Sequence, residues 1–154
     1  MKQCTSENIS AMKLKEIMTP DVEIVHRNTT LQEAAMKMKE LDVGLIPVCD
    51  GDLLCGTLTD RDITVRATAY GQDPNTPVET VMTQELVYAF EDEDEESAAK
   101  LMEEKQIRHL IILDADERVV GIVSLGDLAT RTSREQLSGE ALGKVSLPIQ
   151  SKSI

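Results

Sequence analysis

The chain has 154 residues, of which 41% are hydrophobic, 29% charged and 2% aromatic, a composition typical of a folded protein with an aliphatic core. Its formal net charge of -12 repels nucleic-acid phosphates and anionic membrane surfaces, so we expect neither as a partner. Three cysteines do not make a disulfide framework, and the first residues lack a signal-peptide pattern. We therefore expect a cytoplasmic location.

An internal repeat organises the chain. Met18-Thr19 recurs 64 residues later as Met82-Thr83, and after the first predicted hairpin the offset becomes 65, so that Gly56 matches Gly121. Two copies of one small module explain this pattern. The repeat predicts an N-terminal extension at 1–11, a first module at 12–72, a second module at 73–132 and a C-terminal tail at 133–154.

Each module is predicted to be a strand, a helix, two further strands and a second helix. In the first copy, 22–25 suggests a short strand, and Thr30 with Glu33 forms a capping box that begins a helix ended by Gly44. Two apolar runs around Asp50-Gly51 predict a hairpin, and a second helix follows from about 59 to 70. These elements predict an α+β fold with two modules related by a pseudo-two-fold axis.

The strongest repeated signal is Gly-x-x-Thr/Ser-x-x-Asp where a strand meets a helix. It runs from Gly56 to Asp62 and again from Gly121 to Asp127. A hydroxyl, a carboxylate and unpaired amides at this place could bind ribose and phosphate, and the glycine would let a ligand or another backbone approach. The same residues also fit a plain capping box, and the pattern alone leaves both interpretations open.

The ordered set of motifs resembles paired CBS domains, the Bateman module, over about residues 12–132. The first copy carries Ile17-Met18-Thr19-Pro20, Val43-Gly44-Leu45-Ile46-Pro47-Val48 and Gly56-Thr57-Leu58-Thr59-Asp60-Arg61-Asp62-Ile63; the second carries Val81-Met82-Thr83, Ile107-Arg108-His109-Leu110-Ile111-Ile112 and Gly121-Ile122-Val123-Ser124-Leu125-Gly126-Asp127-Leu128. The continuation of the first copy into Asp73-Pro74-Asn75-Thr76 is similar to stand-alone bacterial proteins of the hypoxic-response type.

The resemblance implies a regulatory, non-enzymatic module for signal transduction. It would bind an adenine nucleotide such as AMP, ADP or ATP in clefts between the modules, form a homodimer and act on an unknown downstream protein, with no required cofactor. The carboxylates would hold ribose, the hydroxyls ribose or phosphate, and the cations phosphate. The implied ligand-binding residues are Thr19, Val43, Gly44, Thr57, Thr59, Arg61, Asp62, Thr83, Ile107, Arg108, His109, Ile122, Ser124 and Asp127.

Two alternatives remain open from the sequence. The chain could be a ligand-free structural or interaction dimer. It could also be a redox- or metal-responsive stress protein using Cys49 and Cys55, with Cys4 as a third ligand. The acidic run 91–96 favours a solvated approach to a helix capped by Asp94 over a cation site, and the sequence offers neither a metal-binding motif nor a nucleophile–base pair.

Overall fold

The computed structural model describes residues 11–131. Along this part of the chain lie five α-helices and seven strands, in the order α1 (Leu14–Ile17), β1 (Thr19–Pro20), β2 (Val25–His26), α2 (Leu31–Leu41), β3 (Leu45–Asp50), β4 (Leu53–Thr59), α3 (Asp60–Asp62), β5 (Tyr88–Phe90), α4 (Glu95–Lys105), β6 (His109–Leu113), β7 (Val119–Ser124) and α5 (Leu125–Arg131). The mixed α+β fold confirms the predicted class. The predicted tail at 133–154, Cys4 and all but the last residue of the predicted extension lie outside the described residues.

The described residues group into two compact units. The first-repeat unit comprises 21–87 and 116–119, and the second-repeat unit comprises 11–20, 88–115 and 120–131. Residues 11–20 thus group with the second-repeat unit, although 12–20 begin the first predicted module along the chain. The module boundaries at 12–72 and 73–132 rest on the sequence repeat and stay a prediction.

The first-repeat unit is built on a three-stranded sheet in the order β2-β3-β4. Strand β2 runs parallel to β3, and β3 and β4 form the predicted antiparallel hairpin. Gly51 at the hairpin tip has a φ of 64°, a conformation that glycine adopts without steric cost. The core is aliphatic, as the near absence of aromatic residues predicts, and contains Leu31, Ala34, Met38, Ile46, Val48, Leu58 and Val81.

The second-repeat unit holds a four-stranded sheet in the order β1-β7-β6-β5. Strand β5 is parallel to β6, and the two-residue strand β1 pairs antiparallel with β7. Helix α4 contacts β6 and α5, and α1 contacts α5. The fully buried side chains of this unit include Leu14, Ile17, Met102, Leu110, Ile112 and Leu128, so the core is again aliphatic.

The capping predictions are confirmed. The Thr30 hydroxyl accepts a hydrogen bond from the Glu33 amide at 3.1 Å, and the Glu33 carboxylate accepts one from the Thr30 amide at 3.0 Å. Asp94 caps α4 by accepting from the Ser97 amide at 2.8 Å. The expectation of a solvated acidic run is wrong at Glu95, which is 2% exposed.

Three local predictions need correction. Helix α2 ends at Leu41 and not near Gly44, because the C-cap residue Asp42 adopts the left-handed conformation with a φ of 56°, which a short polar side chain tolerates. The predicted strand at 22–25 is only Val25–His26. The predicted helix at 59–70 is a continuous helical segment, but after α3 it widens to a π-helix at Ile63–Ala67 and tightens to a 3-10 helix at Thr68–Tyr70.

Candidate functional site

The repeated Thr/Ser-x-x-Asp motif forms a reciprocal capping box in both units. In the first-repeat unit the Thr59 hydroxyl accepts from the Asp62 amide and the Asp62 Oδ2 accepts from the Thr59 amide, both at 3.0 Å. In the second-repeat unit the Ser124 hydroxyl accepts from the Asp127 amide at 3.1 Å, and the Asp127 Oδ2 accepts from the Ser124 amide at 2.8 Å. Each strand-to-helix turn is therefore fixed in one conformation, with its carboxylate oriented by backbone.

Two arginines hold the other oxygen of each carboxylate. Arg66 Nη1 lies 3.7 Å from Asp62 Oδ1, and Arg131 Nε lies 3.5 Å from Asp127 Oδ1. Sequence reasoning missed both arginines. Two signals could have identified them. Each arginine follows its aspartate by four residues, a spacing at which side chains meet on a helix. The two arginines are also 65 residues apart, which is the offset that relates Gly56 to Gly121.

The same arginines tie each turn to an incoming backbone segment. Arg66 Nη1 donates to the Val81 carbonyl and to the Thr83 hydroxyl, both at 3.1 Å. Arg131 Nη1 donates to the carbonyls of Ile17 at 3.1 Å and Met18 at 3.2 Å. Each arginine therefore links the carboxylate of its turn to the segment that carries the repeated Met-Thr pair.

The repeated glycines mark the place where that segment crosses the strand. The amides and carbonyls of Thr57 and Thr83 bond each other at 2.9 and 2.8 Å. A Cβ at Gly56 would lie 2.8 Å from the Thr83 carbonyl oxygen, and a Cβ at Gly121 would lie 2.8 Å from the Thr19 carbonyl oxygen and would also meet the Met18 sulfur. The sequence left two roles open for this glycine, which are the close approach of a ligand and the close approach of another backbone. The structure shows the close approach of another backbone.

This crossing decides which threonine belongs to which turn. Thr83, from the start of the second repeat, pairs with Thr57 beside the first turn. Thr19, from the start of the first repeat, pairs with Ile122 beside the second turn. The first site therefore groups Thr57, Thr59, Asp62 and Thr83, and the second groups Thr19, Ile122, Ser124 and Asp127.

The residues directly before β3 and directly before β6 also reach the turns. The Asp60 amide donates to the Gly44 carbonyl at 3.1 Å, and the Leu125 amide donates to the Arg108 carbonyl at 3.0 Å. Val43 and Ile107 are the residues directly before Gly44 and Arg108. The Val43 amide donates to the Met38 carbonyl at the end of α2, and the Ile107 amide donates to the Met102 carbonyl at the end of α4. The structure thus brings the predicted strand residues beside the helix start in both units.

The cations differ between the two sites. Arg61 is exposed, and its guanidinium makes no hydrogen bond or ion pair with residues 11–131. Arg108 is exposed at the second site. The pKa of the neighbouring His109 is lowered, mainly because the surrounding protein partly removes water from its imidazole. The negative charge of Asp127 raises this pKa, and the positive charge of Arg108 lowers it. The three cations predicted for phosphate therefore lie near the turns, with Arg61 at the first and the other two at the second.

The two carboxylates are only partly used as hydrogen-bond acceptors. Asp62 is 8% exposed, and the side chain of Asp127 is 15% exposed. An ionised carboxylate offers about four lone-pair sites, of which the turn amide and the arginine use two. Each carboxylate therefore keeps unused acceptor capacity beside its cap hydroxyl.

The cysteine pair gives weaker support to redox or metal chemistry. Both thiols are free, and a bulge in the β3–β4 hairpin lies beside Cys49. Burial raises the pKa of Cys49 to about 11 and also raises that of Cys55, which disfavours the reactive thiolate. Among residues 11–131 no three His, Cys, Asp or Glu side chains are grouped so that they could hold a metal ion.

No helix in the described range 11–131 is both long and apolar enough to cross a bilayer. This finding agrees with the fold, in which the longest helices, α2 and α4, have 11 residues each and carry charged residues.

Comparison with known proteins identifies the family. The CBS domain model matches residues 14–67 and again residues 78–133. The CBS domain-containing protein YhcV of Bacillus subtilis is 47% identical over 133 residues, which are 86% of this chain and 94% of YhcV.

Solved structures are similar over most of the chain. Hypoxic Response Protein I, whose crystal structure has two coordinated zinc ions, has a TM-score of 0.72 and 35% identity, and the match covers 79% of this chain and 99% of that one. The CBS domain pair of protein MJ0100, in complex with 5′-methylthioadenosine and S-adenosyl-L-methionine, has a TM-score of 0.69 and 28% identity, covering 77% of this chain and 97% of that one. The chain described here belongs to the CBS-domain family, with two CBS domains in tandem.

Proposed function

We propose that this protein is a regulatory module that binds an adenosyl ligand, of the AMP, ADP or ATP class, at its two capping turns. The observation that carries the proposal is the duplicated turn. In both units a carboxylate is oriented by a backbone amide and an arginine, beside a cap hydroxyl. The binding of methylthioadenosine and S-adenosylmethionine by the related MJ0100 pair supports an adenosyl ligand.

The proposed contacts follow from hydrogen-bonding capacity. Asp62 and Asp127 are acceptors with lone pairs to spare, which suits the two hydroxyls of a ribose. Thr59 and Ser124 can accept or donate to ribose or phosphate, and the exposed cations can pair with a 5′-phosphate. The remaining proposed residues, Thr19, Val43, Gly44, Thr57, Thr83, Ile107 and Ile122, line the two turns.

The regulatory output would come from a change in conformation that a partner recognises. Each turn is linked by its arginine to the segment that carries the Met-Thr pair, so a ligand on the carboxylate acts directly on this link. A ligand shifts the equilibrium between two conformations only as far as its affinities for the two conformations differ. The proposal therefore includes an unidentified downstream protein.

A homodimer in the cytoplasm is part of the proposal. The family resemblance supports a dimer, and Met36 and Leu41 on α2 are 52% and 45% exposed, which leaves apolar surface for a second copy. Light scattering after size-exclusion chromatography measures the mass directly. A monomer at micromolar concentration would overturn this part of the proposal and leave ligand binding untouched.

Calorimetry with the full chain tests ligand binding. Adenosine, AMP, ADP, ATP and S-adenosylmethionine are titrated into the wild type and into Asp62→Asn, Asp127→Asn and the double variant. Asparagine keeps the shape of the cap and removes the charge, so we expect the double variant to lose at least tenfold in affinity. Asp52→Asn, at the exposed hairpin tip of the β3–β4 hairpin, is the matched control and keeps wild-type affinity.

The outcome that contradicts the proposal is specific. If none of the five compounds gives heat or raises the melting temperature of the wild type, the turns are not adenosyl sites. The chain would then act as a ligand-free interaction dimer, and the double aspartate variant would bind its protein partner as well as the wild type does.

A further inference from the structure

The chain passes from one unit to the other at the ends of the two segments that carry the Met-Thr pair. The second-repeat unit contains 11–20 and gives way to the first-repeat unit at residue 21, and the long stretch of the first-repeat unit ends at residue 87. We call 17–20 and 81–87 the connecting segments. Whatever fixes or frees a connecting segment therefore acts on the chain where it leaves one unit for the other.

Each connecting segment is held by an arginine that belongs to the neighbouring capping turn. Arg66 Nη1 donates to the Val81 carbonyl and to the Thr83 hydroxyl, both at 3.1 Å. Arg131 Nη1 donates to two backbone carbonyls of 17–20, at 3.1 and 3.2 Å. A guanidinium is positively charged at every physiological pH and has five N–H donors in a rigid plane. It can therefore bind a backbone segment and face a carboxylate at the same time.

Each arginine attracts its carboxylate across a distance slightly longer than a hydrogen bond. Arg66 Nη1 lies 3.7 Å from Asp62 Oδ1, and Arg131 Nε lies 3.5 Å from Asp127 Oδ1, whereas N–H···O bonds measure about 2.7–3.2 Å. The carboxylate side chains are 11% and 15% exposed, so water screens the attraction only in part. The hold of each arginine on its connecting segment therefore depends on the charge and surroundings of Oδ1.

We propose that Arg66 and Arg131 are positioning residues that transmit ligand occupancy of Asp62 and Asp127 to the connecting segments. A nucleoside on the carboxylate displaces water from the half-exposed guanidinium, and Coulomb attraction grows as the surrounding dielectric constant falls. The arginine then holds its segment more firmly, and by linkage a firmly held segment favours the ligand. This inference rests on the proposed function for the ligand, whereas the coupling of aspartate, arginine and segment needs none.

Amide hydrogen exchange, measured by NMR on the ligand-free full chain, tests the hold of the arginine. The Thr83 amide donates to the Thr57 carbonyl at 2.8 Å, so its exchange reports the opening of 81–87. The Val48 amide, in the central strand β3 of the first-repeat sheet, is the internal reference for global unfolding. We expect Arg66→Met to speed exchange at Thr83 about fivefold relative to Val48, as the loss of a hydrogen bond does.

A double-mutant cycle isolates the contribution of the ion pair. Asp62→Asn keeps the shape of the cap and removes the charge. We expect it to speed exchange at Thr83 about threefold more when Arg66 is present than in the Arg66→Met background. Lys39→Met removes an exposed cation from α2 of the same unit and is the matched control, which leaves Thr83 unchanged relative to Val48. Circular dichroism and the melting temperature check the folding of every variant.

The second part of the test adds AMP or 5′-methylthioadenosine at saturating concentration. We expect a bound probe to slow exchange at Thr83 at least fivefold more in the wild type than in Arg66→Met. In the second-repeat unit the corresponding amide is that of Thr19, and Arg131→Met is expected to remove its protection by the same factor.

Two different failures can be told apart. If the effects of Asp62→Asn and Arg66→Met simply add, or if a bound probe protects the wild type and the arginine variants equally, transmission through the arginine is overturned while adenosyl binding stands. If the cycle shows coupling but neither probe binds the wild type, the proposed function is overturned and the arginine link stands.

Discussion

Replacing Gly56 or Gly121 by alanine tests whether glycine is required at these positions because another backbone segment crosses the strand there. A Cβ at Gly56 would lie 2.8 Å from the Thr83 carbonyl oxygen and 2.9 Å from the Met82 sulfur. The Met82 side chain can move, but the Thr83 carbonyl is held by the Thr57 amide at 2.9 Å. The backbone must therefore separate to admit a methyl group.

The expected cost follows from these contacts. Inserting a methyl group into a packed region costs about 1–3 kcal/mol, and the lower entropy of the unfolded chain returns about 0.4–1 kcal/mol. We expect Gly56→Ala and Gly121→Ala each to lower the free energy of unfolding by roughly 1–2 kcal/mol. For a chain of this length that corresponds to a fall of about 2–8 °C in melting temperature.

Gly126→Ala is the matched control with the opposite sign. Its added Cβ would have its nearest contact at 3.4 Å from the Ser124 hydroxyl, and α5 has ordinary helical geometry there. Alanine in a helix is favoured over glycine by roughly 0.5–1 kcal/mol. Urea unfolding followed by circular dichroism measures all three variants. If Gly56→Ala and Gly121→Ala match or exceed the stability of the wild type, the close approach of the segments is refuted.

Three further predictions concern charged and thiol groups. Arg66→Met and Arg131→Met should each lower the free energy of unfolding by about 1 kcal/mol in urea titrations, because each removes two hydrogen bonds of a half-exposed side chain; unchanged stability would contradict the proposed link. The pKa of His109 is lowered in the folded state, so the unfolded chain binds the proton more readily. The wild type should therefore lose more stability than His109→Asn as the pH falls from about 7 to about 5. Parallel curves of stability against pH for the two proteins would argue against this. Iodoacetamide at neutral pH should alkylate Cys55 before Cys49, whose pKa is about 11, and peptide mass spectrometry that finds Cys49 modified first would reverse this order.

Much of the local structure was predictable because the repeat doubles every signal. The two capping turns follow from Thr59 with Asp62 and from Ser124 with Asp127, since a cap is a contact between residues three apart. The Thr30 cap and the hairpin at Gly51 are equally local. Short stretches of sequence are enough to predict such contacts, and the second copy at a fixed offset supports each prediction.

The pairing of the Met-Thr segments could not be predicted in the same way. Thr19 pairs with Ile122, and Thr83 pairs with Thr57, contacts between residues that are far apart in sequence. Nothing local distinguishes these pairings from the alternative in which each segment stays with its own repeat. The sequence therefore left open which threonine joins which turn.

The short elements failed for a different reason. Strand β1 has two residues, and the end of α2 depends on a left-handed Asp42. At this length neither periodicity nor propensity carries enough signal, and tertiary contacts decide the boundaries. Arg66 and Arg131 were not predicted because they lie one helical turn beyond the aspartate with which the repeated motif ends.

A crystal structure of the wild type grown with AMP tests the central claim most directly. The account predicts that both ribose hydroxyls lie within hydrogen-bond distance of the Asp62 or the Asp127 carboxylate, with the cap hydroxyl of the same turn beside the nucleotide. A nucleotide bound elsewhere on the chain, with both carboxylates contacting only their turn amides and arginines, would contradict it.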